Sequence, residues 1–332
     1  MFDVVTKTLR SADGTELYAE ARGDSSKPSV VFIHGFSMST EVWREVFADS
    51  EWLKDVYIVA YDVRGHGRSG KPEDEESWTS KRLAEDFDTI VQAFGLDKPF
   101  VAAWSFGGVN VTDILSFHSP SYLSGIIFIA AFPYTTSLPS VASPFGLTLI
   151  PPLLSNNSVP HFQIYSTNFV EAILQPSFNP PYLIRLSLLG SLLTQPRACA
   201  QRLLTRSQDE KGFLEAGKGG LPLLILEGEK DVLWKDMKSV SFEGGSHMFF
   251  MEFPDRFREE VLGFVRRVVG DHFVNVEISK LCSTRTFSFY VHLADGLLNL
   301  YTNRERDSKR TLGCKLFTSS SSHFQKSSIF AS

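Results

Sequence analysis

The stretch Phe100–Asn110, FVAAWSFGGVN, runs from small and apolar residues through a single serine, Ser105, into a pair of glycines. The apolar half predicts a strand ending near Ala103, and GGVNVTDILSFH after it predicts a helix. A residue on so tight a strand-to-helix turn is forced toward a strained backbone and needs small neighbours two positions to either side, here Ala103 and Gly107. Gly108 lets the helix lie close to the strand. Two readings of Ser105 fit at this point: an activated nucleophile, or a serine that caps the helix behind it.

Outward from this turn, short apolar runs alternate with amphipathic stretches through the first 130 or so residues, the pattern of a parallel sheet flanked by helices. Strands are expected near Val4–Leu9, Leu17–Ala21, Ser29–Ile33, Tyr57–Tyr61, Phe100–Ala103 and Gly125–Ala130. The continuous runs VVFI, YIVAY and GIIFIA suit strands buried on both faces. Between them, STEVWREVFADSEWL and SWTSKRLAEDFDTIVQAFG space their apolar residues by three and four and read as helices. Each opens with a Ser or Thr able to cap it, and the second stops at Gly95. From Thr135 to Gly220 the alternation gives way to Pro, Leu, Phe and Ser, a composition too rich in bulky apolar residues for a disordered linker, so a compact helical insertion is expected. Strand signal returns at PLLILEGEKD and, more weakly, at SVSFEGG. The helix-like PDRFREEVLGFVRRVV follows, with Pro254 suited to its first turn. These segments divide the chain into a core at 1–134 and 221–270, the insertion at 135–220, and an atypical, Ser-rich stretch at 271–332 that reads as a poorly ordered tail.

Whole-chain properties narrow the function. The formal net charge of -5 argues against a nucleic acid as main partner, because phosphate recognition needs clustered Lys and Arg. Three scattered cysteines, Cys199, Cys282 and Cys314, form no disulfide framework and fit a reducing compartment. The N-terminal sequence lacks the features of a secretory signal, and no run reaches the roughly 18 apolar residues of a membrane span, so a cytoplasmic protein is expected.

A serine hydroxyl is hardly ionised near neutral pH and needs a base to attack. Of the eight histidines, His247 follows the last expected strand and would emerge on the same carboxyl edge of the sheet as Ser105. A histidine base needs a carboxylate to fix its tautomer and balance its charged form. Asp231, after the preceding strand, stands on that edge too.

Taken with these positions, the chain resembles the α/β-hydrolase superfamily from about Val4 to Val269. The resemblance runs through VVFIHGFS, YDVRGHGRS, AWSFGG, LEGEKD and GGSHMFFMEFP in that order. It implies an α/β fold with a mostly parallel central sheet of about eight strands, helices on both faces, and a helical lid, here 135–220, inserted after strand 6. It further implies a nucleophile at Ser105, an acid at Asp231 rather than Glu227 or Glu229, a base at His247, and an oxyanion hole made by the backbone N–H groups of Phe36 and Phe106. His34 is expected to fix the oxyanion loop, Asp62, Arg64 and His66 to build the turn after the fourth strand, and Glu252 to brace the last helix. No cofactor or metal is implied. Two departures stand out: Ala103, where the family's usual pattern has Gly, and the fifteen residues between Asp231 and His247. A parallel crossover usually takes a dozen or more residues and carries a helix, yet only KDVLWKDMK separates the two strand signals.

Relatives of this fold that open epoxides or remove halogens attack with a carboxylate, because the resulting ester can be hydrolysed, whereas a serine would leave a stable ether. Serine at position 105 therefore points to acyl transfer, on an ester, thioester, lactone or related acyl bond. The insertion's Phe145, Leu147, Phe162, Phe169, Leu183 and Leu186 suggest contact with a small apolar substrate, and Trp104 beside the serine reads first as a packing residue, with substrate contact as its second reading. A cofactor-free perhydrolase and a receptor-like protein with little turnover are the alternatives.

Overall fold

The computed structural model describes residues 2–155, 157–174, 178–234 and 239–270 in full, together with the backbones of 286–293, 296–304 and 310–317. One sheet organises the first 270 residues. Its strands are β1 (Val5–Arg10), β2 (Glu16–Arg22), β3 (Ser29–Ile33), β4 (Tyr57–Tyr61), β5 (Phe100–Trp104), β6 (Gly125–Ile129), β7 (Leu223–Gly228) and β8 (Val240–Phe242), in the spatial order β1-β2-β4-β3-β5-β6-β7-β8. The first three neighbours pair antiparallel, and every pair from β4 onward is parallel.

The central strands are buried along their whole length because both faces are covered. Alternate residues go to opposite sides. Val30, Phe32, Ala60 and Ala102 join a cluster with Trp43, Trp52, Phe257 and Val261. Val31, Ile33, Val59 and Val101 join a second with Leu83, Phe87, Ile114 and Phe213. The helices α1 (Arg44–Ala48), α2 (Ser80–Phe94) and α3 (Gly108–Phe117) lie between the early strands. Among the described residues six helices, α4 (Leu138–Val141), α5 (Pro144–Leu154), α6 (Val159–Ile173), α7 (Tyr182–Thr194), α8 (Arg197–Thr205) and α9 (Lys211–Lys218), lie between β6 and β7. The core then closes with α10 (Phe249–Glu252) and α11 (Pro254–Val269).

Local details depart from the sequence reading in instructive ways. The expected helix over STEVWREVFADSEWL is broken: a 3-10 turn at Thr40–Trp43 leads into the short α1, and a second 3-10 turn follows at Trp52–Lys54. The break falls where the Asp49 carboxylate accepts a bond from the Glu51 N–H, a local turn that competes with helix. Neither Ser39 nor Thr79 makes the expected side-chain cap. At the other end of α2, Gly95 does adopt the left-handed conformation, φ 64°, that ends a helix.

The link from β7 to β8 contains no helix among its described residues, and β8 is only three residues long, yet it still pairs in parallel register, Leu226 opposite Val240. Beyond Gly270, the described backbone forms β9 (Thr286–Leu293), β10 (Gly296–Arg304) and β11 (Arg310–Phe317), an antiparallel sheet of order β11-β10-β9. The remainder of the stretch read as a poorly ordered tail lies outside the described residues.

Candidate active site

At the end of β5 the backbone turns directly into a 3-10 turn, Ser105–Gly107, and then α3. Ser105 has φ 55°, in the left-handed region that side-chain-bearing residues avoid. Its hydroxyl caps nothing: neither the turn nor α3 has a side-chain cap bond. The tight path is possible because Gly107 has no Cβ; one built there would stand 2.7 Å from the His34 carbonyl oxygen and 2.8 Å from that of Ile33. Ala103 is fully buried in β5 without disturbing its pairing to Ile33 and Phe128.

Asp231 and His247 meet as a pair. Nδ1 of His247 lies 2.6 Å from Oδ2 of Asp231, with both side chains almost completely buried. Three further contacts hold this histidine. The Trp104 indole N–H donates to the His247 carbonyl at 3.0 Å, tying the histidine to the residue before Ser105. The Trp104 and Trp234 rings both stand 5.4 Å from the imidazole, centroid to centroid. Trp234 is itself held by a 2.6 Å bond to the Ala130 carbonyl at the end of β6. Among the described residues no hydrogen bond yet joins the Ser105 hydroxyl to His247.

Across from the histidine, the loop after β3 comes close to Ser105: a Cβ on Gly35 would stand 3.1 Å from the Ser105 Cβ. This loop turns sharply, with Met38 N–H donating to the Gly35 carbonyl at 3.2 Å and Ser37 at φ 55°. His34 holds it from below, its Nδ1 2.9 Å from the Gly35 carbonyl and its Nε2 accepting from Val63 N–H at 3.1 Å. Burial pushes the His34 imidazole below its ordinary pKa. Phe36 and Phe106 lie side by side, with ring centroids 6.2 Å apart.

Comparison with known proteins agrees with this geometry. Residues 28–178 match the profile of the alpha/beta hydrolase fold family. A putative aryl esterase from Burkholderia cenocepacia superimposes with a TM-score of 0.71 at 23% identity, over 80% of this chain and 100% of that one. The chain has the α/β-hydrolase fold. "Epoxide hydrolase A" of Mycobacterium tuberculosis is 23% identical over 262 residues, 74% of this chain and 73% of that protein. "Probable oxidoreductase EphD" of the same species is 32% identical over 113 residues, 33% of this chain. That match spans about a fifth of the relative's length, 19%.

Within this α/β-hydrolase fold, the residues suggested for substrate contact fare unequally. Phe169 on α6 is buried, its ring 6.2 Å from that of Phe36. Phe162 is half-buried beneath the Arg197 guanidinium, 4.1 Å from its ring centre. Phe145, at 49% exposure, points to solvent, because the buried stripe of α5 runs through Gly146, Leu149 and Leu153 and leaves it aside. Leu147, Leu183 and Leu186 are exposed as well: the buried residues of α7 are Leu188 and Leu192. The apolar residues of these helices therefore divide between an inner and an outer face, which composition alone does not distinguish. Trp104 is fully buried and serves the histidine loop.

Glu252 also acts away from its expected place. Instead of bracing α11, it accepts from the Ser246 N–H at 3.2 Å and from the Ser246 hydroxyl, which in turn accepts from Met248 N–H at 3.1 Å. The carboxylate thus clamps the residues on either side of His247, and burial raises its pKa. Asp62 gathers two loops, accepting from Thr40 N–H and Arg68 N–H, each at 2.7 Å. Arg64 is a fully buried cation between Asp86 and Asp13, 2.6 Å and 2.7 Å away. Among the described residues no group of three or more His, Cys, Asp or Glu is arranged to hold a metal ion, and no helix is long and apolar enough to cross a membrane.

Proposed function

We propose that the chain is a serine hydrolase that cleaves an ester, thioester or lactone of a small, apolar substrate through an acyl-enzyme at Ser105. The observation that carries this reading is the strained backbone of Ser105, φ 55°, at a residue that caps nothing, while the neighbouring Trp104 is bonded to a histidine already paired to a buried carboxylate. Strain at a position with no structural return is characteristic of reactive sites. The Ser105 hydroxyl attacks the substrate carbonyl as Nε2 of His247 takes its proton. Asp231 keeps the Nδ1–H tautomer in place and balances the imidazolium that forms. The negative charge on the carbonyl oxygen falls to the N–H groups of Phe36 and Phe106, each such donor lowering the barrier by about 3 kcal/mol in sites of this kind. His247 returns the proton to the leaving alcohol or thiol. Water then attacks the acyl-enzyme with the same base, releasing the acid and restoring Ser105.

The Ser105–His247 hydrogen bond is expected to close when substrate enters, since catalytic bonds in empty sites are often long or poorly aligned. Opening an epoxide does not fit, whatever the names of the relatives: attack by Ser105 would leave an ether that the same base and water cannot cleave. Phe169 against Phe36, with Phe106 beside it, favours an uncharged group near the reacting carbonyl.

The test is hydrolysis of p-nitrophenyl esters of graded chain length by the whole chain and by Ser105→Ala. Turnover by the parent, lost by at least about a thousandfold in the variant at an unchanged melting temperature, supports the reading. Turnover that survives in Ser105→Ala refutes it. Tight binding of a small apolar ligand with no turnover in either protein would favour a receptor-like role.

A further inference from the structure

We infer that Gln195, at the corner between α7 and α8, is a positioning residue that sets the oxyanion loop from the side of the inserted helices. The inference rests on the hydrolase reading above. Gln195 is almost fully buried, and its amide stands between two loops of the core. Its Oε1 accepts from the Ser37 hydroxyl at 2.5 Å, and its Nε2 lies 2.8 Å from Nε2 of His66.

The direction of this chain is fixed by chemistry. His66 is fully buried against His34, ring centroids 4.9 Å apart, and burial with that neighbour holds it neutral. A neutral imidazole has one N–H, and Nδ1 spends it on the Arg64 carbonyl at 3.0 Å. Nε2 of His66 is then an acceptor, so the Gln195 amide must present N–H to His66 and oxygen to Ser37. Only one orientation of Gln195 satisfies both loops.

Ser37 is the residue that needs holding. It follows Phe36, whose N–H is the proposed oxyanion donor, and its φ of 55° is a conformation that Gly prefers. Phe36 and Ser37 are the two central residues of the turn closed by the Gly35–Met38 bond, so the conformation of Ser37 helps hold the turn that carries the Phe36 N–H. Gln195 is in turn anchored. The Arg197 guanidinium donates to the carbonyls of Gln195 and Leu192 at 2.7 Å each and to that of Leu153 at 2.5 Å. A rigid corner of the insertion thereby reaches into the core and pins the strained half of the oxyanion turn.

The variant Gln195→Met keeps the side chain's length and removes both hydrogen bonds; Ser37→Ala removes one of them. For p-nitrophenyl ester hydrolysis, Gln195→Met is expected to lower kcat about tenfold with KM changed less than twofold. Combined with Ser37→Ala, it should lose little more than either alone. Hydrogen–deuterium exchange gives a readout independent of turnover: amides of the peptide covering residues 33–40 should exchange at least about tenfold faster in Gln195→Met, the rest of the sheet unchanged. Unchanged kcat with unchanged exchange overturns the inference. So does a loss that appears as faster exchange throughout the sheet, which would make Gln195 a packing residue only. If the parent chain hydrolyses nothing, the hydrolase reading fails, and the exchange measurement still decides whether Gln195 holds the loop.

Discussion

Ser105 has a strained backbone, and the residues around it are arranged to keep that strain: Gly107 gives room, Ala103 is small, and Trp104 reaches past the serine to the His247 carbonyl. The same economy shows in the buried histidines. His66 is pushed down to about 3 by burial and by His34. An unfolded chain binds that proton near pH 6.5. Because the folded pKa is the depressed one, the unfolded state takes up more protons as pH falls from about 6.5 toward 3. Stability present above that range is therefore lost at up to about 1.4 kcal/mol per pH unit for each such histidine. Urea unfolding of His66→Gln between pH 7 and 5 should show a shallower loss than the parent, by up to that amount. Equal slopes would mean that His66 accepts a proton in the folded protein.

Elements position the site through buried charge as much as through apolar packing. Arg206, just past α8, makes a bidentate pair with Asp113 on α3 at 2.5 Å and 2.7 Å, and Gln208 adds a 2.9 Å bond to the same carboxylate. This ties the end of the inserted helices to the helix that follows Ser105. Removing one partner strands the other: Arg206→Ala is expected to cost about 3–5 kcal/mol in urea unfolding, with much of it recovered when Asp113 is also replaced by Leu. A loss below about 1 kcal/mol would show that the pair is solvated. Much of the element plan was legible in sequence, because strands buried on both faces read as unbroken apolar runs and Gly95 ends its helix by backbone geometry. Strand β8 was legible only faintly, since three residues carry little periodicity. The role of Gln195 was not legible: a lone glutamine between helices has no pattern, and its partners lie 129 and 158 residues away. Trp234 and Glu252 were hidden for the same reason, as their contacts with the histidine loop are made by the fold and not by spacing.

At the scale of the molecule, a sheet with antiparallel strands at one end and a parallel run beyond them carries all of the proposed chemistry on the carboxyl edges of β3, β5, β7 and β8. Among its described residues the short β7–β8 link holds no helix, and Asp231 and His247 still meet as a pair. The Burkholderia structure aligns over its whole length to 80% of this chain. A chain ending at Gly270 should accordingly keep its melting temperature within about 2 °C, and a loss of 10 °C or more in calorimetry would show that the later residues pack on the core. The central claim, acyl transfer to Ser105, is open to direct measurement. Mass spectrometry of the chain, acid-quenched during turnover of p-nitrophenyl butyrate, should find one butyryl group on the peptide containing Ser105 and none in Ser105→Ala; hydrolysis without that adduct, or an adduct on another residue, would contradict the account.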